Sequence, residues 1–371
     1  MTIRLRLLLL TALLVGAAPC HSFKLQPLTK EIDTETVSLG LGLVFQLVES
    51  PLVRIYVDQF STPVHEDLTH RTYGCAAGHA RCRRASHMPH GAPQGVIEGV
   101  QWNDNPPFTL DHPRLTISPT CFRVTIQLPN LNPTCWANIY ARGVRVASTR
   151  SGVPFGPRDT LLERSHFGDL QFLHAMGGDG EPADVTRRNV LAWAQFAYLV
   201  SIGEIGAEAK VSDGDAVGPR IAKYFPENGW TVMYLFTRGT APRSEERLRD
   251  IAFGSLLHVV QDSFSRAHVA REDVRMGESG PVPGRIVQFH SYARQDPYLH
   301  GKMDDFEGLA QAHDTGLITA IGMRLVELRA RRAPWDEVLR ALEPVFELSE
   351  AATAAGPGNE FIFRPSTPSS P

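Results

Sequence analysis

One stretch of the sequence concentrates residues able to do chemistry: His258-Val-Val-Gln-Asp262-Ser-Phe-Ser-Arg-Ala-His268. A spacing of four places His258 and Asp262 one turn apart on the same helix face, where both can ligate one cation. His268 follows Ser263-Phe264-Ser265, where the helix is expected to end, and can turn back toward a second metal. His300-Gly-Lys-Met-Asp304 repeats the imidazole–carboxylate pair at the same spacing. Either pair alone reads equally well as a surface ion pair. Two of them, the first with an additional histidine, point to a metal centre. The chain carries 14 His against 5 Cys, so imidazole and carboxylate ligands are better supplied than thiolate.

The elements that must position these residues read as helices around one irregular insertion. Ser244 is a plausible N-cap for the helix that carries His258, with Glu246 and Asp250 among its early charges. Val190, Leu191, Trp193, Ala194, Phe196 and Ala197 give a broad apolar face to a helix after Thr186, and helical spacing also runs through 37–60, 308–332 and 334–350. Residues 105–165 differ: Pro and Gly are frequent, and 123–128 and 137–142 read as short strands. The fold class is therefore mainly α with an irregular, partly β insertion.

Residues 1–22 have a cationic start, an apolar run from Leu7 to Val15 and a small-residue zone, which reads as a cleaved secretory signal. One helical domain is expected over 23–353, followed by a disordered tail over 354–371. Export to a secreted or periplasmic location places Cys75, Cys82, Cys121 and Cys135 in an oxidising compartment. Of three possible connectivities, local pairing of Cys75 with Cys82 and Cys121 with Cys135 is preferred. Lys+Arg 37 against Asp+Glu 40 leaves a net charge of -3, which argues against a broad basic surface laid on nucleic acid.

The metal motifs resemble those of the zinc-dependent phospholipase C and single-strand nuclease superfamily, of which the chain looks like a divergent, bacterial-type member. In that superfamily a helix carries H-x-x-x-D-x-x-x-x-x-H, matched at His258, Asp262 and His268, and a later one carries H-x-x-x-[DE], matched at His300 and Asp304. Further upstream, Ser61-Thr-Pro-Val-His65 looks like the family's early metal-binding histidine, which begins a helix. Gly99-Val-Gln-Trp-Asn-Asp104 resembles its glycine-to-aspartate segment, and Ser165-His166-Phe-Gly-Asp169 its H-F-x-D segment. His166 is preferred over His174 as the ligand there, with His174 otherwise a core histidine. Asp159 and Asp169 are rival carboxylates, best read as capping or ion-pair residues. Trp102 reads as core packing.

The resemblance implies two or three zinc ions in a multi-helix, phospholipase C/nuclease-like domain. Asp104, His166, His258 and Asp262 would enclose one ion, and Asp262 would bridge toward another at His65. His268, His300 and Asp304 leave an open position on a further ion, as a catalytic site requires. Paired cations make a nucleophile of water and neutralise phosphoryl charge, and Asp104 is the implied catalytic residue, orienting or deprotonating the attacking water. The substrate implied is a phospholipid or other phosphoester, with transient contact at a membrane surface and no stable nucleic-acid partner. A single-strand nuclease or 3′-nucleotidase on the same metals is the alternative, with Arg81-Cys-Arg-Arg84 as a local basic patch, and a non-catalytic binding protein is the third reading. Two departures stand out: family members with three zincs use an N-terminal Trp, which this chain lacks, and the 105–165 stretch is longer than usual.

Overall fold

The computed structural model describes residues 64–75, 91–110, 121–127 and 132–363, apart from short gaps at 227–228, 239, 241–243, 278–279, 305–307 and 310–314. The expected signal segment, the helix over 37–60, Cys82 and the 81–84 basic patch lie outside the described residues. What is described is mainly helical: α1 (Val64–Thr72), α2 (Gln94–Trp102), α3 (Pro133–Thr149), α4 (Leu161–Phe167), α5 (Ala183–Ile202), α6 (Val232–Thr237), α7 (Glu245–Asp262), α8 (Pro297–Met303), α9 (Thr315–Ala330) and α10 (Trp335–Leu342). Among the described residues no helix is long and apolar enough to cross a membrane.

Helix α7 is the axis of the core. The Ser244 hydroxyl accepts from the Arg247 amide at 3.1 Å, capping the start, and every residue from Ile251 to Asp262 is buried. Its tightest neighbour is α2, and two glycines set the separation. A Cβ on Gly99 would fall 2.2 Å from the Ile251 carbonyl oxygen, and one on Gly254 would fall 2.2 Å from that of Val96. Backbone therefore touches backbone, and the peptide of Val100 reaches the side chains of α7. Trp102 is core, as expected: its ring stacks on Trp193 of α5 at 5.7 Å and its Nε1 donates to the Phe236 carbonyl.

The insertion is more helical than its composition suggests. Within 123–128 only β2 (Thr125–Ile126) forms a strand, paired antiparallel with β1 (Phe108–Thr109). The strand expected over 137–142 is instead the middle of the 17-residue α3. Trp136, Ile139, Tyr140 and Ala147 are all buried, so the stripe that decides its structure has helical period and extends past the short window that looked extended. Asn132 in the left-handed region and Pro133 at the first turn start this helix. Cys121 and Cys135 form the expected disulfide, tying the start of α3 to the segment before β2; Cys75 is also disulfide-bonded. A disulfide is compatible with an extracellular location.

A three-stranded sheet closes the C-terminal side, in the order β3 (Val269–Arg271), β6 (Ile286–His290), β7 (Leu348–Gly356), with β3 antiparallel and β7 parallel to β6. A hairpin of β4 (Arg275–Gly277) and β5 (Gly280–Val282) projects between β3 and β6. Strand β7 corrects two expectations. The last helix stops at Leu342 instead of running to 350, and residues 354–356 are ordered in a strand, not in a disordered tail. Pairing with β6 supplies hydrogen bonds that no local pattern in Ala351-Ala-Thr-Ala-Ala355 announces.

Candidate metal centre

Helix α7 delivers His258 and Asp262 to the interior, as their spacing predicts. Just after its end, the Ser263 hydroxyl turns back to the Val260 carbonyl at 2.7 Å, and the chain folds through Ser265 so that His268 faces inward. Helix α1 brings in His65, the segment leaving α2 brings Asp104, and α4 brings His166. Helix α8, capped by the Asp296 carboxylate on the amides of Tyr298 and Leu299, brings His300 and ends at Asp304. All eight expected site residues are gathered here, each at most 2% exposed.

Three donor groups result, each with its atoms within 4.8 Å of one another: His65, His258 and Asp262; Asp104, His174 and His258; His268, His300 and Asp304. Asp262 links the first two. Its Oδ1 lies 3.3 Å from His65 Nε2, while its Oδ2 lies 2.8 Å from both His258 Nε2 and His174 Nδ1. The preference for His166 over His174 needs correcting. His174 stands nearer the shared carboxylate and is not a histidine on an apolar face. His166 is present too, with Nε2 3.8 Å from Asp104 Oδ1 and its ring 4.6 Å from that of His174. The backbone of His174 also serves the third group, since its carbonyl accepts from His268 Nδ1 at 2.8 Å.

The histidines are oriented by their second nitrogen. His258 Nδ1 lies 2.6 Å from the Val100 carbonyl and His166 Nδ1 3.1 Å from that of Leu162. His65 Nδ1 meets Gln261 Oε1 at 2.6 Å, and His300 Nδ1 meets Gln295 Oε1 at 2.7 Å. Gln295 is fixed as an acceptor, because its amide nitrogen donates to the Ala267 and Pro357 carbonyls, and the Gln261 amide nitrogen lies 3.0 Å from the Thr69 hydroxyl. With His268, whose Nδ1 faces the His174 carbonyl, this makes five rings that turn Nδ1 toward an oxygen and Nε2 toward the carboxylates. Gln261, Gln295 and the His174 carbonyl escaped the sequence reading, in which His174 stood only as the alternative to His166. Only Gln261, beside Asp262, carries even a positional hint.

Ring nitrogens and carboxylate oxygens therefore crowd together, a donor set that suits a metal. His268 Nε2 and His300 Nε2 are 3.2 Å apart, and Asp304 Oδ2 is 2.7 Å from the latter. Buried Asp104 Oδ2, His166 Nε2, His174 Nε2, Asp262 Oδ1 and Asp304 Oδ2 have no hydrogen-bond partner. Such atoms need a cation or a proton among them. Electrostatics agrees. Burial, together with the charges of Asp262, Asp304 and Glu66, pushes Asp104 well above the usual carboxylate range. Burial holds the His258 imidazole down to about 3 against the pull of Asp262. For His268 burial acts the same way, but Asp304 and Asp262 outweigh it and raise the group to about 9. A bound cation relieves all three strains at once.

The rival residues fall outside. Asp159 accepts from the Gly156 amide at 2.9 Å in the turn before α4, whose cap is Thr160, and Asp169 pairs with Arg164 at 2.8 Å, the ion-pair role expected. His290, whose spacing from His268 makes it a rival of His300 in the sequence but which has Arg294 where an acid would be needed, contacts the Ala267 carbonyl at 3.1 Å and joins none of the donor groups. Helix α3 roofs the centre: Tyr140 sets its ring edge-on to His166 at 5.3 Å, and Gly143 leaves space for Phe167. Tyr292 lies between the halves, its ring 4.5 Å from His300 and 6.1 Å from His166.

No family model, no curated protein and no solved structure matches this chain. Fold and site together define a mainly α-helical protein whose buried His and Asp groups are able to hold metal ions.

Proposed function

We propose that the chain is an exported, zinc-dependent phosphodiester hydrolase of the phospholipase C type. The observation that supports this most is the set of five histidines whose Nδ1 atoms are held by oxygens, so that their Nε2 atoms converge on three buried carboxylates. Imidazole-rich, carboxylate-completed groups of this kind suit zinc better than calcium or magnesium, which favour oxygen. Asp104, His166, His174, His258 and Asp262 would hold one ion, His268, His300 and Asp304 a second, and His65 with Asp262 a third. Bound zinc supplies Lewis-acid polarisation of a phosphoryl oxygen and lowers the pKa of water.

The chain's own residues do the rest. Asp104 orients the attacking water and accepts its proton at Oδ2, the oxygen with no hydrogen-bond partner. Asp262 holds the first two donor groups at a fixed separation through its two oxygens. The roof of Tyr140, Phe167 and Tyr292 keeps bulk water away from the imidazoles.

Metal analysis of the purified chain, with parallel assays on phosphatidylcholine and single-stranded DNA, tests this reading. Two or three zincs and release of phosphorylated headgroup are expected, with both zinc and activity lost in His258→Ala. Cleavage of DNA alone would replace the lipase reading by the nuclease one. A zinc-free chain, or a His258→Ala variant that keeps zinc and activity, sinks the proposal and leaves the binding-protein reading.

A further inference from the structure

A single buried asparagine fastens all three stretches of chain that carry the second donor group, Asp104, His174 and His258. Asn103 ends α2, immediately precedes Asp104 and is fully buried. Its Nδ2 donates to the Leu173 carbonyl at 2.6 Å and to the Ser255 carbonyl at 3.3 Å. Its Oδ1 accepts from the Ser255 hydroxyl at 2.6 Å, and that hydroxyl accepts from Trp193 Nε1 at 3.0 Å. Both Nδ2 partners are carbonyls, which only accept, so the amide has one possible orientation. Leu173 is the residue before His174. Ser255 lies three residues before His258, on the same face of α7.

These ligands need such a fastening. Asp104 lies beyond the end of α2. His174 closes a turn of four residues, Gln171–His174, and Ala175 after it has a φ of 51°, a left-handed conformation unfavourable for a residue with a Cβ. Contacts from outside hold that turn: Asn103 on the Leu173 carbonyl, and the Tyr292 amide on Gln171 Oε1 at 2.9 Å. Breaking the first would leave a buried polar group without its partner, so Asp104, His174 and His258 keep a common spacing. The group of His268, His300 and Asp304 is held by other side chains. The Ser265 hydroxyl donates to Asp304 Oδ1, and Gln295 Oε1 meets His300 Nδ1. It meets the Asn103 network through the His174 carbonyl.

We infer that Asn103 is a positioning residue, which sets the spacing of Asp104, His174 and His258 and with it the affinity of that group for a metal ion. The inference rests on the metal reading of the centre, not on the reaction assigned to it. A buried asparagine can also serve core packing alone, and the test separates the two roles.

Cobalt(II), whose visible absorption reports the number and geometry of its ligands, is titrated into metal-stripped protein, and zinc affinity is read against a competing chelator. Asn103→Ala is expected to lower the affinity for one ion ten- to hundredfold, roughly the cost of losing an outer-shell partner, and to alter its cobalt spectrum. Ser255→Ala keeps both carbonyl contacts of Asn103 and is expected to lower the same affinity about fivefold. Ser265→Ala, outside the network, is expected to weaken another ion and leave the spectrum of the first unchanged. Melting temperatures of the metal-free proteins are measured alongside, and Ser255→Ala carries the test should Asn103→Ala fail to fold. The inference is wrong if either variant melts lower without metal yet binds cobalt with the natural affinity and spectrum. It is equally wrong if Asn103→Ala and Ser265→Ala weaken the same ion to the same extent. A natural chain that takes up neither cobalt nor zinc overturns the metal reading and this inference together. Metal binding that responds to Asn103→Ala, in a chain that hydrolyses no phosphodiester, keeps the inference and removes the hydrolase.

Discussion

Asp104→Asn should change stability in opposite directions with and without metal. Asp104 Oδ1 and Asp262 Oδ2 lie 3.7 and 2.8 Å from the same His174 nitrogen, so they are within about 6.5 Å of one another. At an effective dielectric of about 20, two charges at that separation repel by roughly 2–3 kcal/mol. Asp304 and Glu66 add to the same side, and partial protonation of Asp104 limits the total. In metal-free protein at pH 7 the amide removes this repulsion at nearly constant volume. The variant should then melt higher than the metal-free natural chain by several degrees, at about 2–4 °C per kcal/mol. In zinc-loaded protein the same change removes an anionic donor. Affinity should fall by at least the ten- to hundredfold that loss of an outer partner costs, and the melting temperature should drop with it. Calorimetry of both forms, with zinc titrated by a competing chelator, reads the two signs. If metal-free Asp104→Asn is the less stable protein, or if zinc binds it normally, the clustered carboxylates do not form a cation site.

Two further outcomes follow from the same groups and their packing. Metal-free protein should lose stability as pH rises from about 6.5 to about 9, because His268 is raised above its unfolded value; its contribution, roughly 3 kcal/mol, is complete below 6.5 and gone above 9. It should also weaken as pH falls below about 6.5, since His258 is held down to about 3 and the unfolded chain takes up the proton first. Zinc-loaded protein should be flat across the alkaline range, and thermal melts in both forms check this. Gly99→Ala should destabilise by about 3 kcal/mol or more, because its methyl must push the Ile251 carbonyl away from 2.2 Å. A conventional denaturant titration that finds the variant neutral would mean that α2 and α7 separate freely.

How much of this was legible in the chain depends on whether a signal is local. His258 with Asp262 and His300 with Asp304 were readable because one helical turn converts a spacing of four into a shared face, and α7 and α8 realise it. His268 was readable because the serines after Asp262 end a helix. His174 was not. It sits in a turn between Phe172, Leu173 and Met176, and apolar neighbours mark a histidine as core. Its importance comes from a carbonyl offered to His268 and a ring offered to Asp262, 94 and 88 residues away. Strand β7 is illegible for a similar reason, since its partner β6 decides it.

The second-nitrogen contacts carry this furthest. The lone pair of His258 faces the centre only because the Val100 carbonyl takes the Nδ1 proton, and Val100 is within 2.6 Å only because Gly99 and Gly254 let the two helices touch. A pair of glycines is thus part of the metal centre without contacting it. In sequence Gly99 is only the start of the segment that leads to Asp104 and Gly254 is an unremarked small residue, one each side of a contact more than 150 positions long. The chemistry of an imidazole was legible, but its tautomer was not, because the tautomer belongs to the packing. The same holds at His65 and His300, where Gln261 and Gln295 hold the ring only while their amides are engaged by Thr69, Ala267 and Pro357. Loosening α2 from α7 should therefore turn ligand rings before it unfolds the chain, and zinc affinity should respond to packing changes that leave every ligand in place.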